Sequence, residues 1–321
     1  DGRLVIDNWK KQSFRAMLAD VRLAPGTTHD VRIEYFESTG NAKLRLVWDA
    51  GVPNDWRAKI DSAVALARRS SVAVVVAGTE EGEFRDRARL SLPGHQEEMI
   101  ERVAATGTPT VVVLIGGSAI TGGRWIDRVG AVLTAWYPGE EGGNAVADVL
   151  FGDYNPAGRL PMTWPVFEGQ LPLVYNHKPT GRGDDYVDLT GQPLFPFGHG
   201  LSFTTFEYSG LTITPAQVGP HDTAVVRFRV KNTGGRAGDE VIQLYLRDLL
   251  GSVARPVMQL GAFARVHLAA GEEREVVFSV GPDQLRMLDR DMKWVVEPGT
   301  FRILVGASSK DTRLRGDLVV R

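Results

Sequence analysis

The sequence of 321 residues contains no cysteine. Disulfides and thiolate metal sites are excluded, while the compartment stays open, with secretion the preferred side. No apolar run is long enough to span a bilayer. The 37 Lys+Arg against 39 Asp+Glu leave a net charge of -2, so no excess of either sign calls for nucleic acid or an anionic membrane surface. The six histidines show no H-E-x-x-H and no paired spacing, and no metal is expected. Gly116-Gly117 followed by Gly122-Gly123 lacks the G-x-G-x-x-G spacing of a dinucleotide loop, so no cofactor is expected either. Around Ser118, Ile120 stands where a nucleophile elbow needs its second glycine. A signal peptide is also missing: the chain opens on DGRLVIDNW, in mid-pattern, as a chain cut inside a domain would.

What is present changes character along the chain. Residues 1–50 read as β, with strands expected at Leu4–Ile6, Ala19–Leu23, Val31–Phe36 and Ala42–Trp48. Four such short strands do not make a comfortable independent core. From Asn54 to about Val149 strands and helices alternate. Asn54 or Asp55 is placed to cap a helix carrying Ile60, Val64 and Ala67 on one face. Apolar runs at Val72–Ala77, Thr110–Ile115 and Ala131–Ala135 predict three strands of a parallel sheet, the first buried on both faces. Pro93-Gly94 turns into a helix with Met99, Ile100 and Val103 inward, and a last helix runs from Glu141 to Leu150. Residues 153–206, rich in Pro, Gly and aromatics, predict a linker packed along the surface, since Phe195, Phe197, Phe203 and Phe206 carry too much apolar area for water. From Glu207 onward β returns, with alternation at Thr223–Val230, Val241–Leu246, Glu275–Val280 and Thr300–Val305, which suits an antiparallel sandwich.

In an open α/β sheet the ligand sits beyond the carboxyl ends of the strands. The segment after the first strand, GTEEGEFRDRARLSLPGHQ, crowds Glu80, Glu81, Glu83, Arg85, Asp86 and Arg87 into that place. With parallel strands, this loop, Gly116–Gly123 and Trp136–Glu141 are all predicted to face one crevice. Charge alone does not separate a site from a solvated loop.

Those same residues carry a resemblance. The run Glu83, Asp86-Arg87 and Leu92-Pro93-Gly94-x-Gln96 is similar to the signature in the second domain of glycoside hydrolase family 3 β-glucosidases. The similarity continues through IGGSAITGGRWIDRVGAVLTAWYPGEEGGNAVADVLFGDYNPAGRLPMTWP and PLFPFGHGLSFTTF. It implies an α/β/α sandwich with a largely parallel sheet over residues 51–152, a packed linker over 153–206, and a fibronectin type III-like domain over 207–321. VRIEYFESTGNAKLRLVW is similar to the closing strands of the anthrax-protective-antigen-like β-domain inserted in some members, so residues 1–50 are expected to be the tail of such an insert.

The resemblance further implies a retaining β-glucosidase-like hydrolase acting on β-glucosides or β-xylosides. Its nucleophilic aspartate would lie on a (β/α)₈ barrel outside this sequence, on another segment or chain, and a homo-oligomer is left open. Glu83 resembles the general acid/base, with Glu81 as the fallback and Glu80 behind it, because loop register is uncertain by a residue or two. Arg85 and Arg87 would count against Glu83 by lowering its pKa if they point at it. Asp86 and Arg87 are expected to form a local ion pair. Glu140 and Glu141 read as helix-opening residues, His199 as structural, and Trp136 and Tyr137 either stack on a sugar or pack in the core. Asn54-Asp55-Trp56 superficially matches the nucleophile motif but begins a helix. The rival function is a non-catalytic carbohydrate-binding or interaction fragment.

Overall fold

The computed structural model describes residues 1–11, 16–38, 44–48, 55–83, 86–180 and 185–321. Asp55 caps helix α1 (Trp56–Ala67), its carboxylate accepting from the N–H groups of Arg57 at 3.0 Å and Ala58 at 3.1 Å. That role agrees with reading this aspartate as a helix start; Asn54 lies outside the described residues. Ile60, Val64 and Ala67, spaced for one helical face, are all buried. Strand β1 (Ala73–Gly78) follows, then α2 (Gln96–Ala104), β2 (Thr110–Ile115), β3 (Ala131–Trp136) and α3 (Gly142–Phe151). The three strands form a parallel sheet in the order β1-β2-β3, with Ala73 opposite Thr110 and Gly78 opposite Ile115.

One expectation for the sheet is corrected. Val75 and Ala77 are buried in the core with α1 and α2, but Val74 is 48% and Val76 58% exposed. The strand lies at the sheet edge and is covered on one side only, so an unbroken valine run is not by itself a sign of two covered faces. The β reading of residues 1–50 also differs. Among their described residues no strand forms, and Leu4, Leu18, Val31 and Trp48 are exposed. A strand needs a ladder partner for its backbone groups. Here only isolated contacts occur, such as Asp1 ammonium to Asp30 O at 2.8 Å and Trp9 against Phe36 at 4.8 Å.

The described residues of the stretch 153–206 make packed contacts. Trp164 N–H and O pair with Phe195, its indole N–H donates to Ile120 O at 2.9 Å, and Phe197 stacks on Tyr175 at 4.2 Å. Phe203 departs from this, remaining exposed beneath the Arg236 guanidinium. The C-terminal body holds β4 (Phe206–Thr214), β5 (Gln217–Val218), β6 (Ala224–Asn232), β7 (Gly238–Asp248), β8 (Gln259–Leu268), β9 (Glu273–Val280), the short helix α4 (Pro282–Leu285), the ribbon β10 (Met287–Leu288) with β11 (Trp294–Val295), β12 (Gly299–Gly306) and β13 (Thr312–Val320). A five-stranded sheet β5-β13-β12-β7-β8 faces a three-stranded sheet β4-β6-β9 across one apolar core that includes Phe228, Ile242, Leu244, Phe301 and Ile303.

Candidate active site

Residues at the carboxyl ends of β1, β2 and β3 meet in one open cleft. It is lined by Glu81, Gly82, Glu83, Asp86, Arg87, Leu90, Ser118 and Tyr137, and its volume is about 410 Å³. This is the crevice that parallel topology predicts. Two glycine positions let the strand ends close up. A Cβ on Gly78 would stand 2.1 Å from Ile115 O, and one on Gly116 would stand 2.5 Å from Thr79 Oγ1. Gln96, at the start of α2, braces the β1 end from behind: its amide accepts from Gly78 N–H at 2.8 Å and donates to Gly78 O at 2.9 Å.

Glu81 sits at the floor of the cleft. Its Oε1 accepts from Thr79 Oγ1 at 2.7 Å, Ser118 Oγ at 3.0 Å and Arg87 Nη2 at 3.4 Å. Its Oε2 accepts from Gly117 N–H at 2.8 Å and from the Tyr137 hydroxyl. The Tyr137 hydrogen bond leads the causes that lower the Glu81 pKa to about 2; partial burial opposes it, and Thr79, Gly117 and Ser118 add to it. The same pairing raises the Tyr137 phenol above its ordinary value. Glu81 is therefore ionised at neutral pH, which is the wrong state for a proton donor. Glu83, two residues on, is exposed and lines the cleft.

The remaining candidates fall on both sides of expectation. Arg87 makes its ion pair with Glu81 and donates to Ser118 at 2.7 Å, so the expected pairing with Asp86 is corrected: the guanidinium turns inward to the carboxylate that five donors surround. Arg85 lies outside the described residues. Glu141 precedes α3 and accepts from Asn144 at 2.5 Å, away from the cleft lining. His199 stacks on Phe195 at 4.9 Å, and burial lowers its pKa, in keeping with a structural role. Trp136 packs edge-on to Trp164 at 6.0 Å, whereas Tyr137 is 68% exposed in the cleft. Trp136 has φ +53°, a left-handed conformation that costs a bulky residue roughly 1–3 kcal/mol. This turn aims Tyr137 at Glu81, a link that periodicity and motif spacing do not reveal.

The fold is thus an α/β domain with an acidic cleft on the carboxyl edge of its parallel sheet, followed in the chain by a β sandwich. Residues 6–203 match the glycosyl hydrolase family 3 C-terminal domain, and residues 240–309 match a fibronectin type III-like domain. The chain belongs to glycoside hydrolase family 3 through this C-terminal domain. It is 38% identical over 80% of its length to a periplasmic β-glucosidase of Salmonella typhimurium, covering 35% of that protein. With a β-xylosidase of Formosa agariphila the identity is 42% over 79% of the chain and 36% of the relative. Among solved structures, a β-glucosidase from Listeria innocua in complex with glucose superposes with TM-score 0.78 at 33% identity, covering 82% of this chain and 38% of that one. The chain thus spans well under half the length of these relatives.

Proposed function

We propose that this chain is the C-terminal part of a retaining β-glucosidase-like hydrolase and supplies its general acid/base, Glu83. The observation that carries the reading is the convergence of three strand-end loops on one acidic cleft in which Glu83 is exposed while Glu81 is held as an anion. In a retaining hydrolase one carboxyl group protonates the leaving oxygen while a second attacks the sugar carbon, the two standing about 5–5.5 Å apart. Glu83 takes the first role and later deprotonates the incoming water. The nucleophilic aspartate belongs to a (β/α)₈ barrel outside this sequence, and the cleft is open to receive it. The substrate class is β-glucosides, after the β-glucosidase relatives. A β-xyloside is the second reading, because a β-xylosidase is 42% identical over most of the chain.

The test is made in the active protein that combines this chain with the barrel. Glu83→Gln keeps shape and hydrogen-bonding reach but cannot donate a carboxylic proton. Glycosylation of a phenyl or alkyl β-glucoside is expected to slow by roughly 10²–10⁴-fold, the usual worth of general acid catalysis. Glycosylation of a dinitrophenyl β-glucoside, whose phenolate leaves unaided, stays near the wild-type rate. Azide then relieves the deglycosylation step and yields a β-glucosyl azide. Loss of rate independent of the leaving group, without azide rescue, removes Glu83 from the acid/base role.

A further inference from the structure

We propose that Glu81 is a positioning residue: its ionised carboxylate ties the ends of all three sheet strands together and fixes the loop from which Glu83 acts. The inference rests on Glu83 as the acid/base. A carboxylate offers about four lone-pair sites. Five protein donors converge on Glu81, three at one oxygen and two at the other. They come from separate places: Thr79 follows β1, Gly117 and Ser118 follow β2, and Tyr137 follows β3. No acceptor capacity is left over for a substrate hydroxyl, so Glu81 is a scaffold group and not a ligand.

The fifth donor gives the arrangement its consequence for Glu83. Arg87 reaches back to Glu81, and it also donates to Ser118 at 2.7 Å and Ser91 O at 3.4 Å. Glu83 lies in sequence between Glu81 and Arg87, which one ion pair and the bonds around it join. A proton donor held on a loop works only if the loop is held, because small misplacements of a reacting group cost large factors in rate. Glu83 has the open position and Glu81 supplies the rigidity.

Two measurements test the proposal, one independent of activity. In the 321-residue chain, Glu81→Ala is expected to raise hydrogen exchange together at Thr79–Glu83, at Gly117–Ser118 and at Tyr137, while β6 and β7 keep their protection. Faster exchange confined to Thr79–Glu83 overturns the tie between strands. In the active protein, Glu81→Gln is expected to slow glycosylation of a phenyl glucoside roughly 10–100-fold, the usual cost of removing an outer orienting partner, and to change that of a dinitrophenyl glucoside little. The loss for the phenyl substrate stays smaller than that of Glu83→Gln, KM changes little, and the basic limb of the pH–rate profile, set by the acid that must stay protonated, moves. Tyr137→Phe, which keeps the ring and removes one donor, shifts the same readouts in the same direction by less.

Unchanged kcat, KM and pH profile alongside a lowered melting temperature would make Glu81 merely structural and overturn the proposal. Leaving-group dependence with azide rescue in Glu81→Gln as large as that expected for Glu83→Gln, and absent from Glu83→Gln, would make Glu81 itself the acid/base, and the proposal falls with the assignment of Glu83. If Glu83→Gln alone lacks the leaving-group pattern, the functional reading fails and Glu81 no longer acts through Glu83, even where the exchange arm shows the three strand ends tied.

Discussion

At the scale of single residues, the cleft is decided by how closely backbone and side chain approach. A Cβ on Gly117 would stand 2.2 Å from the Tyr137 hydroxyl. Gly117→Ala must therefore push the phenol away from Glu81. The raised Tyr137 pKa is expected to return towards its ordinary value, read as phenolate absorbance in the difference between this variant and one that also carries Tyr137→Phe. An unmoved phenol titration would show that the hydrogen bond survives the added methyl. Glu81 gives a second residue-scale prediction through linkage. Its folded pKa of about 2 lies below its ordinary 4.5, so the folded state binds the proton more weakly than the unfolded chain. The stabilisation is complete above about 4.5 and is lost as pH falls towards 2. The melting-temperature advantage of wild type over Glu81→Gln is expected to be constant near neutrality, to shrink below that window's upper edge, and to vanish at its lower one. An advantage independent of pH would assign it to packing.

At the scale of elements, what was legible in the sequence follows from what each signal measures. Apolar runs and helix caps report local burial and local hydrogen bonds, so α1, α2 and the three parallel strands stand where expected, and with them the crevice holding Glu83. The same signals do not report what lies across a face, which is why Val74 and Val76 read as buried and stand exposed. Nor do they report long-range partners: the turn at Trp136 that sends Tyr137 to Glu81 joins residues 56 positions apart. The linker shows a further case. Arg159 and Glu240 form an ion pair at 2.9 Å, with side chains only 8% and 2% exposed, and the Tyr208 hydroxyl donates to the other Glu240 oxygen at 2.7 Å. No spacing rule links positions so far apart, yet this group fastens the linker to β7. Removing one member leaves a buried charge without its counterpart, which costs about 3–5 kcal/mol. Arg159→Met is expected to lower the stability of the C-terminal body by that order in denaturant unfolding, and Arg159→Met/Glu240→Leu to recover much of it. A single variant within about 0.5 kcal/mol of wild type would mean that water replaces the partner.

At the scale of the whole molecule, the carboxylates that line the cleft come from one segment of the chain. Glu81, Glu83 and Asp86 all belong to the same loop after β1, and Glu81 is saturated by protein donors. Retaining hydrolysis needs a nucleophile and an acid on opposite sides of the sugar. Carboxylates of one short loop cannot flank a ring in that way. The 321-residue chain by itself is therefore expected to hydrolyse no aryl β-glucoside, including a dinitrophenyl substrate for which acid assistance is dispensable. That substrate sharpens the test, because it separates a missing nucleophile from a poorly placed acid. Residues 1–48 give the same result structurally: with no strand pairing among their described residues, the amides of Val31–Phe36 are expected to exchange without marked protection in the lone chain. Adding a family 3 barrel carrying the nucleophile is expected to restore turnover in proportion to complex formed, and Glu83→Gln in the 321-residue chain to slow it for phenyl glucosides by roughly 10²–10⁴-fold. Turnover by the lone chain, sensitive to Asp86→Asn, would place both carboxylates in this one loop and overturn the division of the site between two domains.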